Sequence, residues 1–245
     1  MKTCICVIIK DENDYLKEWL DYHLKIGIDE IYLYEDYNSQ SHRSIVESYN
    51  KTRVHLFSID VIYQKGFFYK DRLRQEHLFI YFGKVYKKEF DWILFIDIDE
   101  FLILNEPLEK LLKDYEDKPA ILLYWKYYGA SNHIKKPLGK VMDNFINPIA
   151  SSFDYGWKFK SFYNCKYDFI WEQRVHKIKG GVFPINEYGL HKAYLNHYFT
   201  KSWEEWKNKL LLRGDCSLGH RKIQQFFRLN PDLEELKEDL LKEIS

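Results

Sequence analysis

Short apolar runs alternate with helical patterns along the first hundred residues of this chain. Residues 3–9 form a β-branched apolar run, which predicts a buried strand. Apolar side chains then recur at helical spacing over residues 15–24, which predicts a helix. Asn13 or Asp14 is expected to cap this helix, and Gly27 is expected to end it. The pattern continues with strands over 31–34, 53–59 and 92–96, and with helices from about residue 41 and over 71–87.

This order of elements is typical of a parallel sheet whose faces are covered by helices. Ligands of such sheets bind at the carboxyl ends of the strands. Acidic residues follow three of the four predicted strands, and these residues are Glu12, Glu35, Asp36, Asp97 and Asp99. We therefore expect one acidic site at this edge of the sheet, where a cation or sugar hydroxyl groups compensate the negative charge.

The rest of the chain is predicted to complete one domain and to add a helical extension. The further elements are strands over 101–104 and 120–125, a helix over 108–115, a loop over 129–139 and the unassigned segment 144–189. From Ser202 the pattern is helical and begins with a capping box that pairs Ser202 with Glu205. The predicted organisation is a domain over 1–215 and a helical tail over 216–245.

The composition narrows the class of partner. The 245-residue chain carries 37 basic and 37 acidic side chains, so its formal net charge of zero gives no electrostatic reason to expect nucleic acid. No apolar run approaches the roughly 18 residues of a membrane span, so a membrane contact would be peripheral. The cysteines lack zinc-ligand spacing, and their scarcity fits reduced thiols in the cytoplasm. They are Cys4, Cys6, Cys165 and Cys216.

The pair Asp97 and Asp99 carries the main chemical signal. The spacing Asp-x-Asp at a strand end places both carboxylates on one face, where they repel each other unless a cation neutralises them. A hard divalent ion such as Mn²⁺ or Mg²⁺ prefers oxygen ligands and stabilises the charge that develops on a leaving diphosphate. Glu100 is expected to accept backbone hydrogen bonds. The motif therefore predicts a divalent metal site beside a nucleoside diphosphate.

Several blocks of the chain together resemble glycosyltransferases of the GT-A fold near family 92, with relatives in family 2. The metal motif matches closely, over residues 91–102. The other blocks are residues 7–12 and 15–23 with Gly27, residues 34–36 with Asn38 and Ser39, Trp125 with Gly129, Ser131 and His133, and residues 196–202 with Glu205, Lys209, Arg213 and Gly214. The resemblance covers residues 3–215 and implies a Rossmann-like α/β fold, with a mixed, mostly parallel sheet flanked by helices and a C-terminal helical extension.

The resemblance also implies an activity and its ligands, with a donor-binding half of about 1–104 and an acceptor-side half of about 105–215. A sugar would pass from a nucleotide-sugar donor, a UDP-sugar by the family's pattern, to a hydroxyl of a glycan, lipid-linked or glycoprotein acceptor, with inversion. Asp97 would contact the ribose and the metal, and Asp99 and His197 would complete a site for Mn²⁺ or Mg²⁺. The residues implied for the donor are Glu12 with Glu35 or Asp36 for the base and ribose, Gln75 lining the site, and Lys160 and Lys201 for the diphosphate.

Departures from the family's pattern leave alternatives open. Asp11 stands where the family usually has asparagine, and Tyr37 interrupts the acidic-Asn-Ser run, so the choice between Glu35 and Asp36 is not settled. Residues 144–189 align poorly, so the acceptor and the catalytic base are not assigned. His197 also fits an ordinary histidine packed between aromatic side chains.

Two other functions would use the same residues. A nucleotidyltransferase or phosphotransferase also places paired acids around magnesium, but the 11 glycines form no glycine-rich phosphate loop. A non-catalytic glycan-binding protein of the same fold would use the 18% of aromatic residues. The combination of Asp97, Asp99 and His197 favours the glycosyltransferase.

Overall fold

The structure is a computed structural model that describes residues 1–67, 73–149, 158–172, 176–213 and 223–243. The chain forms two compact units, of which the first comprises Met1–Trp125 and Lys158–Leu195 and the second comprises Lys126–Trp157 and Asn196–Ser245. The predicted donor half, acceptor-side half and tail follow other boundaries and stay predictions about function. Each unit is considered by itself below.

The strands are, in chain order, β1 (Thr3–Ile9), β2 (Glu30–Glu35), β3 (Val54–Ser58), β4 (Trp92–Phe95), β5 (Glu100–Leu104), β6 (Ala120–Tyr127), β7 (Phe159–Asn164), β8 (Trp171–Glu172), β9 (Lys177–Ile178) and β10 (Ala193–His197). The α-helices are α1 (Asn13–Lys25), α2 (Arg43–Val46), α3 (Asp60–Gln64), α4 (Arg74–Tyr86), α5 (Leu108–Asp114), α6 (Val141–Asn144), α7 (Trp203–Asn208), α8 (Ile223–Leu229) and α9 (Lys237–Lys242). A π-helix spans Lys209–Arg213 and a 3₁₀-helix spans Pro231–Leu236.

Eight of these strands form one mixed sheet in the order β3-β2-β1-β4-β7-β6-β10-β5. Strand β1 runs parallel to β2 and β4, and β2 runs parallel to β3. Strand β7 runs antiparallel to its neighbours β4 and β6. The expected α/β architecture, a mixed and mostly parallel sheet flanked by helices, is confirmed.

Strand β1 sets the position of the predicted acidic edge. All seven of its residues are buried, because β2 and β4 pair with its two edges and α4 packs on the face that carries Cys4 and Cys6. Its last residue, Ile9, lies opposite Glu35, the last residue of β2. The parallel strands β1, β2 and β4 therefore deliver the acidic residues that follow them to one edge of the sheet.

Aromatic rings fill the space between this sheet and α4. The ring of Phe82 lies 5.0 Å from that of Tyr32 on β2 and 6.0 Å from that of Phe95 on β4. The ring of Phe95 in turn lies 5.1 Å from that of Tyr163 on β7. These contacts are edge-to-face, a favourable geometry for aromatic pairs. Much of the high aromatic content thus serves the core.

Strand β5 ends the sheet formed by the described strands, so one row of its backbone groups pairs with none of them. Side chains of α1 bond to that strand: Trp19 Nε1 donates to the carbonyl of Glu100 at 2.7 Å, and the Tyr22 hydroxyl donates to the carbonyl of Leu102 at 2.8 Å. The amide of Leu102 donates to Nε2 of the buried His23 at 3.2 Å. Helix α1 therefore covers a sheet edge with polar side chains as well as burying apolar ones.

The second unit has a small helical core of its own. Trp203 and Trp206 of α7 are fully buried, and their rings lie 5.1 Å and 6.0 Å from that of Phe226 on α8. The capping box at the start of α7 is confirmed, because Ser202 Oγ accepts the amide of Glu205 and the Glu205 carboxylate accepts the amide of Ser202. Among the described residues, every helix is too short or too polar to cross a bilayer.

The structure also corrects some local predictions. Glu12 is the N-cap of α1, rather than Asn13 or Asp14, because its carbonyl accepts the first helical hydrogen bond from the amide of Leu16 at 3.0 Å. The unassigned segment 144–189 contains β7, whose pattern Phe159-Lys160-Ser161 breaks up the apolar run of a central strand. Residues 71 and 72 of the predicted long helix, and Cys216, lie outside the described residues.

Candidate functional site

The carboxyl ends of β1 and β2 are joined through a histidine. The amide of Glu12 donates to Nε2 of His42 at 3.0 Å, so the proton of the neutral imidazole lies on Nδ1. Nδ1 and the backbone amide of His42 both donate to Oε1 of Glu35, at 3.0 and 2.7 Å. His42 is fully buried and Glu12 is 5% exposed. This arrangement fixes the two strand ends relative to each other.

Asp36, the next residue after β2, forms an ion pair with the first residue of α4. Its Oδ1 lies 2.7 Å from Nε of Arg74, and its Oδ2 accepts a hydrogen bond from Nη2 at 2.9 Å. The Asp36 side chain is fully buried, whereas that of Arg74 is 35% exposed. Asp36 is therefore engaged in holding α4 against the strand end, and Glu35 retains more contact with solvent.

A tight turn after β4 carries the Asp-x-Asp motif. The amide of Asp97 donates to Oε2 of Glu100 at 3.0 Å, and the amide of Glu100 donates to the carbonyl of Asp97 at 3.1 Å. Glu100 is fully buried, and burial raises its pKa well above the usual range, an effect that Lys160 opposes and that Asp97 and Asp99 reinforce. The predicted role of Glu100 as an acceptor of backbone hydrogen bonds is confirmed.

The Asp97 carboxylate has a partner at each oxygen. Nε2 of Gln75, on α4, donates to Oδ1, and Nζ of Lys160, on β7, donates to Oδ2 at 2.9 Å. The same ammonium lies 3.8 Å from Oε1 of Glu100 and 5.6 Å from the centre of the Trp125 ring. Burial lowers the pKa of Lys160, but the negative charges of Asp97 and Glu100 outweigh burial and leave that pKa raised. Lys160 is therefore a buried cation beside the motif.

Asp97 and Asp99 offer carboxylate oxygens, the ligand type that Mg²⁺ and Mn²⁺ prefer. Across the described ranges, no three side chains of His, Cys, Asp or Glu form a group that could hold a metal ion. Mg²⁺ commonly binds through one or two carboxylates together with substrate phosphates. The carboxylates of Asp97 and Asp99 therefore fit the protein's share of such a site.

His197 and Lys201 belong to the second unit. The His197 ring stacks on that of Tyr127 at 5.1 Å and meets that of Phe199 edge-to-face at 5.3 Å. Its carbonyl accepts the amide of Tyr128 at 2.9 Å. Lys201 is buried and adopts a left-handed backbone with φ of 54° just before α7. The metal role of His197 and the diphosphate role of Lys201 stay predictions.

The second unit also contains a cavity of about 330 Å³, near the lower end of the size range of small-molecule sites. Polar side chains in its lining include Ser131, Asn132, Asn147, Arg228 and Asp232. Ser131 and Asn132 both have left-handed backbones, with φ of 48° and 64°.

The structure thus brings five of the predicted residues to the edge formed by β1, β2 and β4, namely Glu12, Glu35, Asp36, Asp97 and Asp99, and adds Gln75 and Lys160 to Asp97. Sequence reasoning missed two residues there, His42 and Arg74. The sequence contained only a weak signal for Arg74, which directly precedes Gln75 on the same helix, and no spacing that identified His42.

A family model and two relatives found by sequence agree on one family. The family model described as Glycosyltransferase family 92 matches residues 1–235. A rice protein (Oryza sativa subsp. japonica) named as a glycosyltransferase family 92 protein is 24% identical over 217 residues, which are 84% of this chain and 34% of that protein. A Ricinus communis protein of the same name is 27% identical over 103 residues, 42% of this chain and 17% of that protein. The chain therefore spans about a third of the length of the rice relative and less of the other.

Solved structures are similar only at a distance. The match to HddC from Yersinia pseudotuberculosis covers 80% of this chain and 77% of the HddC chain, with 10% identity and a TM-score of 0.35. The 4-diphosphocytidyl-2C-methyl-D-erythritol synthase from Anaerococcus prevotii covers 78% of this chain and 89% of its own at 13% identity, with a TM-score of 0.39. Scores this low support no inference about the function of this chain.

Proposed function

Because this chain belongs to glycosyltransferase family 92, we propose that it transfers a sugar from a nucleotide-sugar donor to a hydroxyl of an acceptor. The donor is a UDP-sugar, and the acceptor is a glycan, a lipid-linked sugar or a glycoprotein. The transfer depends on Mn²⁺ or Mg²⁺ and inverts the anomeric centre. These statements go beyond family membership. The geometry of the first unit supports a donor with a diphosphate and a divalent ion, as follows.

The observation that carries the proposal is the meeting of three acidic strand ends with a buried cation. Strands β2, β1 and β4 are adjacent and parallel, so their carboxyl ends share the edge where α/β sheets bind nucleotides. Glu35 has 24% of its side chain exposed and Asp97 has 33%, so both combine fixed partners with access to a ligand. This combination suits a donor that presents hydroxyl groups and a diphosphate.

The chain's own residues divide the work at this edge. Asp97 and Asp99 would hold the divalent ion, which supplies charge compensation for the leaving nucleoside diphosphate. Gln75 holds Oδ1 of Asp97 and thereby fixes the orientation of its carboxylate. Glu35, oriented by His42, is better placed than the buried Asp36 to accept hydrogen bonds from ribose hydroxyls. Lys160 contributes a positive charge next to the diphosphate.

The test is Asp99→Asn, which keeps the shape of the side chain and removes its charge. We expect the rate of UDP-sugar hydrolysis or transfer to fall about 10²-fold or more, because charge stabilisation at the leaving group is lost. The matched control is Asp168→Asn, since the Asp168 side chain is 95% exposed on the same unit. Circular dichroism checks that both variants fold. Full activity of Asp99→Asn with the metal chelated would refute the proposal.

A second experiment identifies the donor and the stereochemistry together. A panel of nucleotide-sugars is incubated with the protein in Mn²⁺, and the anomeric configuration of each product is read by NMR. Thermal shifts with UDP, GDP and CDP against ATP and CTP separate a sugar donor from a nucleoside triphosphate substrate. Stabilisation by ATP or CTP alone would point to nucleotidyl or phosphoryl transfer instead.

A further inference from the structure

Lys160 is an unusual residue for the middle of a sheet. It is 1% exposed on β7, with β4 on one side and β6 on the other. Because β7 runs antiparallel to β4 with Leu94 opposite Phe162, the preceding residues of β7 pass beside the segment that follows β4. That register brings the ammonium to the Asp97 carboxylate. A buried lysine is costly unless it is paired, so this placement needs a compensating role.

The contacts of the ammonium show which charge it compensates. Nζ lies 2.9 Å from Oδ2 of Asp97 and 3.8 Å from Oε1 of Glu100, so Asp97 is its closer partner. Asp97 is also a proposed metal ligand and one-third exposed, whereas Glu100 is fully buried. A divalent ion and the ammonium would therefore compete for the same carboxylate. Lysine suits such a competition because its point charge sits on a flexible four-carbon stem.

We propose that Lys160 is an exchangeable counter-cation of Asp97, which keeps the affinity for divalent ions low until a diphosphate binds and takes over the ammonium. The inference rests on the proposed use of a nucleoside diphosphate donor. When the diphosphate arrives, the lysine changes its partner from carboxylate to phosphate, and Asp97 becomes available as a metal ligand. Binding of the divalent ion and of the nucleotide is then coupled positively through one side chain. By linkage, each raises the affinity for the other by the same factor.

The exchange has a consequence for the order of binding. Free divalent ions would bind poorly to the protein alone, and the nucleoside diphosphate with its ion would bind well. The indole ring of Trp125 lies 5.6 Å from the ammonium in the same unit, so its fluorescence is a local reporter of the movement. The protein therefore has a high affinity for the divalent ion only when the nucleoside diphosphate is bound.

The experiment measures metal binding without any sugar transfer. Mn²⁺ is titrated by calorimetry into the wild type and into Lys160→Met, with and without UDP. We expect Lys160→Met to bind Mn²⁺ alone at least about tenfold more tightly, which corresponds to about 1.4 kcal/mol. UDP should raise the Mn²⁺ affinity of the wild type by a larger factor than that of the variant. The matched control is Lys158→Met, because Lys158 is exposed two residues earlier, and it should match the wild type.

A further variant keeps the test decisive if Lys160→Met does not fold. Lys160→Arg retains the charge, and it should keep the affinity for Mn²⁺ alone low. The chain contains seven tryptophans, so the fluorescence of Trp125 is taken as the difference between the wild type and Trp125→Phe. This difference should change on addition of UDP with Mn²⁺ and not with Mn²⁺ alone. Equal Mn²⁺ affinity of the wild type with and without UDP overturns the inference, as does an unchanged Mn²⁺ affinity in a folded Lys160→Met.

These outcomes are separable from those of the proposed function. If the wild type transfers no sugar but Lys160→Met binds Mn²⁺ more tightly, the counter-cation role is supported and the proposed activity is refuted. A chain that transfers sugar normally, with no change of Mn²⁺ affinity in Lys160→Met, retains the activity and loses the counter-cation. The binding experiment uses only Mn²⁺ and UDP, so the identity of the acceptor does not enter it.

Discussion

The buried histidine of α1 makes the stability of the first unit depend on pH. Nδ1 of His23 lies 2.9 Å from the carbonyl of Trp19, to which it donates, and Nε2 accepts the amide of Leu102, so both nitrogens are used only by the neutral ring. Burial lowers the pKa of His23 from 6.5 to about 3, although the bond to Trp19 opposes that shift. Protonation would therefore break the contact between α1 and the edge strand β5.

The size of the effect follows from linkage between protonation and folding. The unfolded chain binds a proton at His23 below about pH 6.5 and the folded chain does not, so stability falls as the pH decreases from about 6.5 towards 3. Over this whole interval, protonation of His23 lowers the free energy of unfolding by about 5 kcal/mol, at about 1.36 kcal/mol per pH unit. Between pH 7.5 and pH 5.0, the free energy of unfolding falls by about 2 kcal/mol of this amount.

The assay compares the free energy of unfolding in urea at pH 7.5 and pH 5.0 for the wild type and His23→Gln. Glutamine can accept the amide of Leu102 and does not titrate. On acidification, the free energy of unfolding of His23→Gln should therefore fall by about 2 kcal/mol less than that of the wild type. Tyr22→Phe is the control, because it removes a bond to the same strand while the pKa of Tyr22, raised to about 12 by burial, lies far outside the range. It should lower stability by about 1 kcal/mol at both pH values. Equal losses in wild type and His23→Gln would refute the reasoning.

Two further substitutions, one in each unit, test an ion pair and a close packing contact by the same urea assay. Arg74→Met removes the partner of the buried Asp36 carboxylate and should lower the free energy of unfolding by about 2 kcal/mol. A fully buried pair would lose more, because Arg74 is 35% exposed. A loss no greater than that of Lys118→Met, which breaks an exposed pair with Asp117, would contradict this prediction. Gly129→Ala would place a Cβ 2.5 Å from Oδ1 of Asn230 and should lower the free energy of unfolding by about 1–3 kcal/mol. An unchanged free energy of unfolding would contradict this.

The parallel half of the sheet was predictable because local pattern and long-range order agree there. Strand β1 has the same bounds in the prediction and in the structure, since an uninterrupted β-branched run between polar ends has few alternatives. The acidic residues after β1, β2 and β4 could be placed at one edge without coordinates, because parallel strands share the direction of their carboxyl ends. Glu100 could be assigned for a similar reason, as a carboxylate in a tight turn readily accepts backbone amides.

The contacts that hold this edge could not be predicted, because they join residues distant in sequence. His42 joins Glu12 to Glu35 from the N-cap position of α2, 30 residues after Glu12 in the sequence. The N-cap of α1 was misplaced for a related reason. Side-chain preference favoured Asn13 or Asp14, but the backbone carbonyl of Glu12 already begins the helix.

Strand β7 was not predicted because a residue of the candidate site interrupts the apolar pattern of a central strand. A strand that is central and buried on both faces should read as an apolar run, yet Lys160 and Ser161 interrupt it. The lysine is tolerated because Asp97 and Glu100 stand next to it, and those acids are tolerated so close together because the lysine lies among them. Any ligand that draws the Lys160 ammonium away from these acids therefore changes the charge balance of the motif.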